Sequence, residues 1–147
     1  MITQLSGTGY KIGDRAEFCK TISESDVYMF AGITGDMNPV HIDERAAVQS
    51  FAKKRIVHGA LVSGMISTVI GMKLPGPGTI YMEQDSRFIK PVYLGDTIRA
   101  AVEVEEILNE KKGILKLSTV VSNQEDEIVL TGFAVVKIPG RLVHEKD

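Results

Sequence analysis

The amino-acid sequence predicts an α+β fold in which a long antiparallel sheet wraps one central apolar helix. The segment from Gly59 to Lys73 has no charge before its final residue and is apolar on nearly all sides of a helix, so other parts of the protein must enclose it. After this segment the sequence changes to the two-residue period of half-buried strands. At 147 residues the chain is long enough for one domain with a core, and we expect a single domain over residues 1–147.

The part of the chain before the apolar helix predicts one strand and two helices. A strand pattern covers Asp14 to Ile22. Ser23 then precedes acidic residues and an apolar run, which is typical of a capped helix, and that helix should end near Gly35. The Asn38-Pro39 pair indicates an extended or turning loop, because a residue before proline avoids the helical region. A second short helix is expected from Asp43 to about Phe51.

The part of the chain after the apolar helix predicts an antiparallel sheet. The run Leu74-Pro75-Gly76-Pro77-Gly78 ends the helix. Two short polar runs, Lys111-Lys112-Gly113 and Glu125-Asp126-Glu127, suit hairpin turns, and Arg141 to Asp147 is expected to be a solvated tail. Four stretches have strand character: Thr79 to Phe88, Thr97 to Leu108, Ile114 to Asn123 and Ile128 to Ile138.

Charge and composition exclude several classes of partner. The formal net charge is -2 and the basic residues are scattered among acids, so we expect no nucleic-acid or membrane partner. The longest apolar segment, Ile56 to Met72, is shorter than the roughly 20 residues of a membrane span. Nothing from Met1 to Lys11 is typical of an export signal. Cys19 is the single cysteine, which excludes an internal disulfide, and we expect a cytoplasmic protein.

The segment from Gly35 to His41 carries the first candidate site. Asp36 and His41 are a carboxylate and an imidazole on one loop, which are complementary groups for proton transfer, and Asn38 can help to hold that loop. The same residues could instead form an Asx-type turn with a histidine nearby. From the residues alone both interpretations stay open.

The start of the apolar helix carries the second candidate site. The first residues of a helix have unpaired backbone N–H groups and a partial positive charge. Gly59 would let a substrate carbonyl approach its N–H closely, which makes this N–H a candidate donor to a developing oxyanion. The alternative is that Gly59 permits tight packing and nothing more.

Together these segments resemble the MaoC-like, (R)-specific enoyl-CoA hydratases. The resemblance rests on Phe30 to His41, on Ala47 and on Val57-His58-Gly59, and it extends over the whole chain. It implies a single hotdog domain, in which a long antiparallel sheet wraps the central helix. Phe88 to Val92 and Gly95-Asp96 are similar to a further stretch common in hotdog proteins.

The resemblance also implies an activity and a set of roles. Asp36 and His41 would jointly activate the water that attacks C3 of a trans-2-enoyl thioester and handle the proton delivered to C2, while the Gly59 N–H polarises the carbonyl. The product would be an (R)-3-hydroxyacyl thioester. Ser67 matches a supporting serine of the family by its spacing, with Ser63 as a nearer alternative. His58 would orient the loop or cap the helix.

Further expectations follow for ligands and assembly. The substrate would be an acyl-CoA, with an acyl carrier protein thioester as the alternative carrier, and no cofactor is expected. We expect a homodimer or a higher homo-oligomer. Lys53, Lys54 and Arg55 could meet the phosphates of coenzyme A or be a solvated charge run. Asp36, His41 and His58 are ligand types of a metal site, but we expect no metal because hydration needs none and the family uses none.

Two other functions stay open at this stage. The first is an acyl-thioester hydrolase on the same fold, although hotdog hydrolases generally place a carboxylate on the central helix or a different loop. The second is a non-catalytic acyl-thioester binding subunit of a hotdog assembly. The presence of Asp36, Asn38, His41 and Gly59 together disfavours this second alternative.

Overall fold

The computed structural model describes residues 9–139, in which five antiparallel strands form one sheet in the order β1-β3-β4-β5-β2. The predicted tail from Arg141 to Asp147 lies outside the described residues. The strands are β1 (Arg15–Thr21), β2 (Ile80–Phe88), β3 (Thr97–Asn109), β4 (Ile114–Ser122) and β5 (Ile128–Lys137). The helices are α1 (Glu24–Thr34), α2 (Pro39–Ile42), α3 (Glu44–Gln49) and α4 (Gly59–Met72). This arrangement confirms the predicted α+β fold.

Helix α4 lies against the inner face of the sheet. Its buried positions are Val62, Ile66, Val69 and Ile70. The sheet offers alternate residues to this helix, as in Ile98, Ala100, Val102 and Val104 of β3, which are all buried. Ala60, Ser67 and Met72 are exposed, so this chain encloses α4 on one side and leaves the other side open. The prediction that other parts of the protein enclose α4 is therefore confirmed only for the side that faces the sheet.

Helix α1 has the ends that the sequence predicts. The Ser23 hydroxyl accepts a hydrogen bond from the Asp26 N–H at 3.1 Å, and the Asp26 carboxylate accepts one from the Ser23 N–H at 2.9 Å. This capping box satisfies two donors that the first turn would otherwise leave unpaired. Gly35 ends the helix with φ of 82°, a left-handed conformation that favours glycine.

The segment after Gly35 differs from the prediction. His41 belongs to the one-turn helix α2, so its predicted place on a loop is wrong, while Asp36 does lie on the loop. The reason is local. Asn38 caps the turn by accepting a hydrogen bond from the Val40 N–H at 3.3 Å, and Pro39 suits the first helical position because its fixed φ is already helical.

Strand β2 forms one edge of the sheet. Its apolar side chains Ile80, Met82 and Phe88 are between 56% and 60% exposed. An edge strand with exposed apolar groups is a surface that proteins usually cover. No helix between residues 9 and 139 has the length and apolar character to span a bilayer.

Candidate active site

Three segments meet at the start of α4. The Ile56 N–H donates to the Val40 carbonyl at 3.2 Å, and the Val57 N–H donates to the Val92 carbonyl at 2.7 Å. The strand-like segment 56–57 therefore lies between the α2 turn and the chain that leaves β2. These backbone bonds bring the α2 turn beside the first residue of α4.

His41 is buried and its ring has one fixed tautomer. Its Nδ1 lies 2.7 Å from the Ile56 carbonyl oxygen. Because a carbonyl can only accept, Nδ1 carries the hydrogen and the neutral ring presents the lone pair of Nε2. Burial lowers the pKa of His41 below its ordinary value of 6.5 and charge on His58 acts in the same direction, against the Ile56 carbonyl and Asp36. His41 is therefore a neutral base at pH 7.

His58 lies directly against His41. The two rings stack with their centroids 3.9 Å apart, and Phe30 packs on His58 at 4.7 Å. His58 Nε2 lies 3.0 Å from the Asp36 carbonyl oxygen, to which it donates. Its side chain makes no capping bond to α4, so of the two predicted roles the contacts fit the orientation of the Asp36 loop. Its Nδ1 is buried without a partner among residues 9–139.

Asp36 is the exposed member of the site. Its carboxylate accepts a hydrogen bond from the Asn38 N–H at 3.2 Å. One ligand-type atom each from Asp36, His41 and His58 lies within 4.8 Å of the others. That distance leaves room for a small molecule such as water between an accessible carboxylate and a buried base. The expectation that no metal binds there stays a prediction.

Gly59 connects these groups to a cavity. Both Gly59 and His41 line a cavity of about 370 Å³, whose other walls include Val57, Val62, Phe88, Val92 and Val129. No acceptor among residues 9–139 pairs with the Gly59 N–H, as expected in the first turn of a helix. A Cβ at this position would lie 2.9 Å from the Phe88 ring, so Gly59 also permits close packing. The two interpretations of this glycine are compatible.

The two candidate serines of α4 lie elsewhere. Ser67 is exposed, eight residues after Gly59, or about 12 Å along the helix axis. The Ser63 hydroxyl lies 3.3 Å from the Ser86 hydroxyl and also contacts the Gln84 amide, which donates to it. One chain therefore brings Asp36, Asn38, His41, His58 and Gly59 together and leaves Ser67 apart. The role of Ser67 stays a prediction.

The basic run before α4, Lys53 to Arg55, has one buried member. Arg55 is only 7% exposed and its Nε donates to the His41 carbonyl at 2.7 Å, so neither open interpretation, a coenzyme A contact or a solvated charge, fits Arg55. The buried guanidinium has an acidic partner, because its Nη1 lies 2.5 Å from Oε1 of Glu24. Lys53 and Lys54 stay exposed, with the Lys54 ammonium 3.9 Å from the centre of the Tyr93 ring. The sequence analysis named Arg55 but did not predict its contact with His41.

Comparisons with known proteins identify relatives of this chain. A (R)-specific enoyl-CoA hydratase of Rhodospirillum rubrum is 44% identical over 131 residues, which cover 89% of this chain and 90% of the relative. A 3-hydroxybutyryl-CoA dehydratase of Methylorubrum extorquens is 44% identical over 120 residues, covering 82% of this chain and 75% of the relative. The solved (R)-hydratase from A. caviae involved in PHA biosynthesis matches with a TM-score of 0.85 at 37% identity, covering 89% of this chain and 98% of that one.

The family assignment follows from these matches. The family model described as the MaoC like domain matches residues 9–128, which is most of the chain. The structural match to the R-hydratases also confirms the hotdog fold that the resemblance implied. This chain belongs to the MaoC-like family.

Proposed function

We propose that this chain catalyses the reversible hydration of a trans-2-enoyl-CoA to an (R)-3-hydroxyacyl-CoA. One observation carries the proposal: the carboxylate of Asp36 and the neutral imidazole of His41 adjoin each other beside an apolar cavity that Gly59 also lines. Two relatives at 44% identity are an (R)-specific enoyl-CoA hydratase and a 3-hydroxybutyryl-CoA dehydratase. A hydratase adds water and a dehydratase removes it, so the two relatives are named for opposite directions of one hydro-lyase reaction.

The proposed reaction uses these groups in a fixed order. Water gives one proton to the Asp36–His41 pair while its oxygen bonds to C3 of the enoyl group. The electron pair of the double bond moves through C2 onto the thioester oxygen, where the unpaired N–H of Gly59 donates to the developing negative charge. The pair then returns one proton to C2, so that the sum is one water added. Dehydration is the same sequence in reverse.

The surroundings of each group suit its part. His41 is buried with a lowered pKa, so Nε2 is free to accept a proton at neutral pH. Asp36 is exposed, so water and substrate can reach it. The cavity walls are mainly apolar, as an acyl chain requires, and Lys90 lines the same cavity. The donor at Gly59 acts where charge develops, which lowers the barrier more than binding the ground state does.

The other functions fit this arrangement less well. Helix α4 contains no acidic residue, which disfavours a hydrolase that places its carboxylate there. The contacts among Asp36, His41 and His58 would be unnecessary in a subunit that only binds a thioester. A coenzyme A thioester is the preferred substrate, and we propose no further cofactor.

We further propose that two copies assemble as a homodimer, in the cytoplasm. The edge strand β2 exposes Ile80, Met82 and Phe88, and a second copy paired along this edge would cover them. The open side of α4, with Ser67, is the other surface that such a partner can cover. Sedimentation at micromolar concentration measures the assembly, and a monomer would contradict it.

The experiment that tests the activity is hydration of enoyl-CoA substrates of graded chain length. We expect loss of the conjugated double bond and an (R)-3-hydroxyacyl-CoA product, identified by chiral analysis. An (S) product, or hydrolysis of the thioester without hydration, would contradict the proposal. A variant with Glu110→Gln is a suitable control, because Glu110 is exposed in the β3–β4 turn, away from the cavity.

A further inference from the structure

We propose that Arg55 is a positioning residue that fixes the orientation of the His41 ring. The inference rests on the proposed function for its effect on catalysis, but its structural part concerns His41 alone. The Arg55 side chain is 6% exposed and lies between the α2 turn and the first turn of α1. It does not line the cavity beside His41 and Gly59, so we expect any effect on the reaction to act through His41.

The guanidinium joins two consecutive helices, α1 and α2, from a position that follows both in the chain. Its Nε donates to the His41 carbonyl oxygen at 2.7 Å, and its Nη1 donates to Glu24 Oε1 at 2.5 Å. A planar guanidinium presents donors in a rigid fork, so both contacts are made in one fixed geometry. The His41 turn is thereby attached to α1 by a single side chain.

Glu24 is held in place from a second direction. The Tyr28 hydroxyl donates to Glu24 Oε1 at 2.9 Å, and the Tyr28 ring lies 5.0 Å from the guanidinium carbon of Arg55. The hydrogen bond from Arg55, followed by that from Tyr28, lowers the pKa of Glu24, so the carboxylate is ionised at neutral pH. The buried cation therefore has a charged partner that is itself fixed.

His41 is consequently held at two points by neighbouring residues. The Ile56 carbonyl accepts from Nδ1 of the ring at 2.7 Å, while Arg55 donates to the backbone oxygen of the same histidine. These contacts set where Nε2 points. Arg55 Nη2 is buried and has no partner among residues 9–139, so the group is not an optimised stabilising ion pair. Its geometry toward His41 accounts for its burial better than stability does.

The test compares Arg55→Lys with Arg45→Lys. Lysine keeps the positive charge but cannot donate to both partners in a planar fork. Arg45 is exposed on α3 and its side chain has no hydrogen bond or ion pair among residues 9–139, so the same exchange there is a matched control. We expect Arg55→Lys to lower kcat about 10- to 100-fold, the size of effect that a misplacement of about 1 Å produces, with little change in KM.

A second readout separates positioning from loss of stability. Burial lowers the pKa of His41, so a loosened turn should move that pKa back up toward its ordinary value. Nuclear magnetic resonance of the imidazole measures this titration without any substrate. We expect a higher His41 pKa in Arg55→Lys and the same shift in the acid limb of the rate profile. Arg45→Lys should leave both unchanged.

Glu24→Gln gives an independent variant that leaves Arg55 in place. Glu24 is more than half exposed, and glutamine keeps a side-chain oxygen that can accept from Arg55 Nη1. Because the buried cation loses its charged partner, thermal unfolding is measured beside the titration to establish that the variant is folded. We expect a smaller fall in kcat than in Arg55→Lys and a His41 shift in the same direction. An unmoved His41 titration in both variants would overturn the proposal. An inactive parent protein with a shifted His41 titration would instead contradict the proposed function and support the positioning role.

Discussion

The two sides of the candidate site are held in opposite ways. Asp36 is exposed, and its carboxylate accepts one local hydrogen bond, from the Asn38 N–H two residues along the chain, while its carbonyl accepts one from the more distant His58. His41 is buried and fixed by contacts with residues 14 and 15 positions further along the chain. In the proposed mechanism this difference suits two tasks, because a base must keep its tautomer and direction while a carboxylate must stay open to water. Changes on the exposed side should therefore affect the chemistry, and changes on the buried side should also affect stability.

The largest expected effect is the loss of the Asp36 carboxylate. Asp36→Asn keeps the shape of the side chain and removes its capacity to take a proton, so kcat should fall by about 10²- to 10⁴-fold, the usual contribution of a positioned acid or base. The melting temperature should stay within experimental error, because the residue is exposed. Steady-state kinetics with a short enoyl-CoA and thermal unfolding measure the two quantities. Activity equal to that of the Glu110→Gln control would be incompatible with the assignment.

His58→Ala should affect both properties. The ring is 1% exposed, stacks on His41 and donates to the Asp36 carbonyl. Its removal leaves that carbonyl without this donor and opens a cavity, so the free energy of unfolding should fall by about 1–3 kcal/mol. We also expect kcat to fall, by less than in Asp36→Asn. Urea unfolding beside kinetics would show the contrast, and a stable but inactive variant would argue that His58 itself takes part in the chemistry.

The pH dependence reports on the buried side. Because the pKa of His41 lies below 6.5 in the folded chain, the neutral base persists down to that lowered value, and kcat/KM should fall only as the pH drops through it. The free energy of unfolding should also fall as the pH falls, because the folded state disfavours the charged ring. The contribution of His41 to stability is present above pH 6.5 and is lost as the pH falls through its folded pKa. An acid limb of kcat/KM centred above 6.5 would contradict this assignment.

The smallest expected effect is that of a chelator. Asp36, His41 and His58 could present three ligand atoms to a metal ion, but the proposed proton transfers need none. Dialysis against EDTA should leave kcat unchanged within error. A loss of activity that zinc or iron restores would replace the acid–base account with a metal-assisted one.

Local signals predicted much of this molecule. The alternating residues of β3 predicted its buried face, and Ser23 predicted the start of α1 together with its cap. The proximity of Asp36 to His41 follows from five residues of chain and one proline. The α2 turn could have been predicted as well, since Asn38 and Pro39 are typical of an N-cap and a first helical position.

Contacts between residues far apart in the chain could not be predicted from the sequence. Arg55 follows two lysines, a pattern typical of a solvated loop, and its partner Glu24 lies 31 residues earlier. Nothing in either local pattern pairs them, because burial of a charge depends on how α1 packs on the α2 turn. The surroundings of Ser67 could not be predicted either, since they depend on what covers the open side of α4.

In the proposed mechanism, Asp36 and His41 add water to an enoyl-CoA with one defined stereochemistry. The most direct measurement is hydration of crotonyl-CoA by the parent protein and by Asp36→Asn, with chiral analysis of the 3-hydroxybutyryl-CoA formed. We expect the (R) product from the parent and a rate at least about 100-fold lower from the variant. The (S) product, or equal rates from both proteins, would contradict the account.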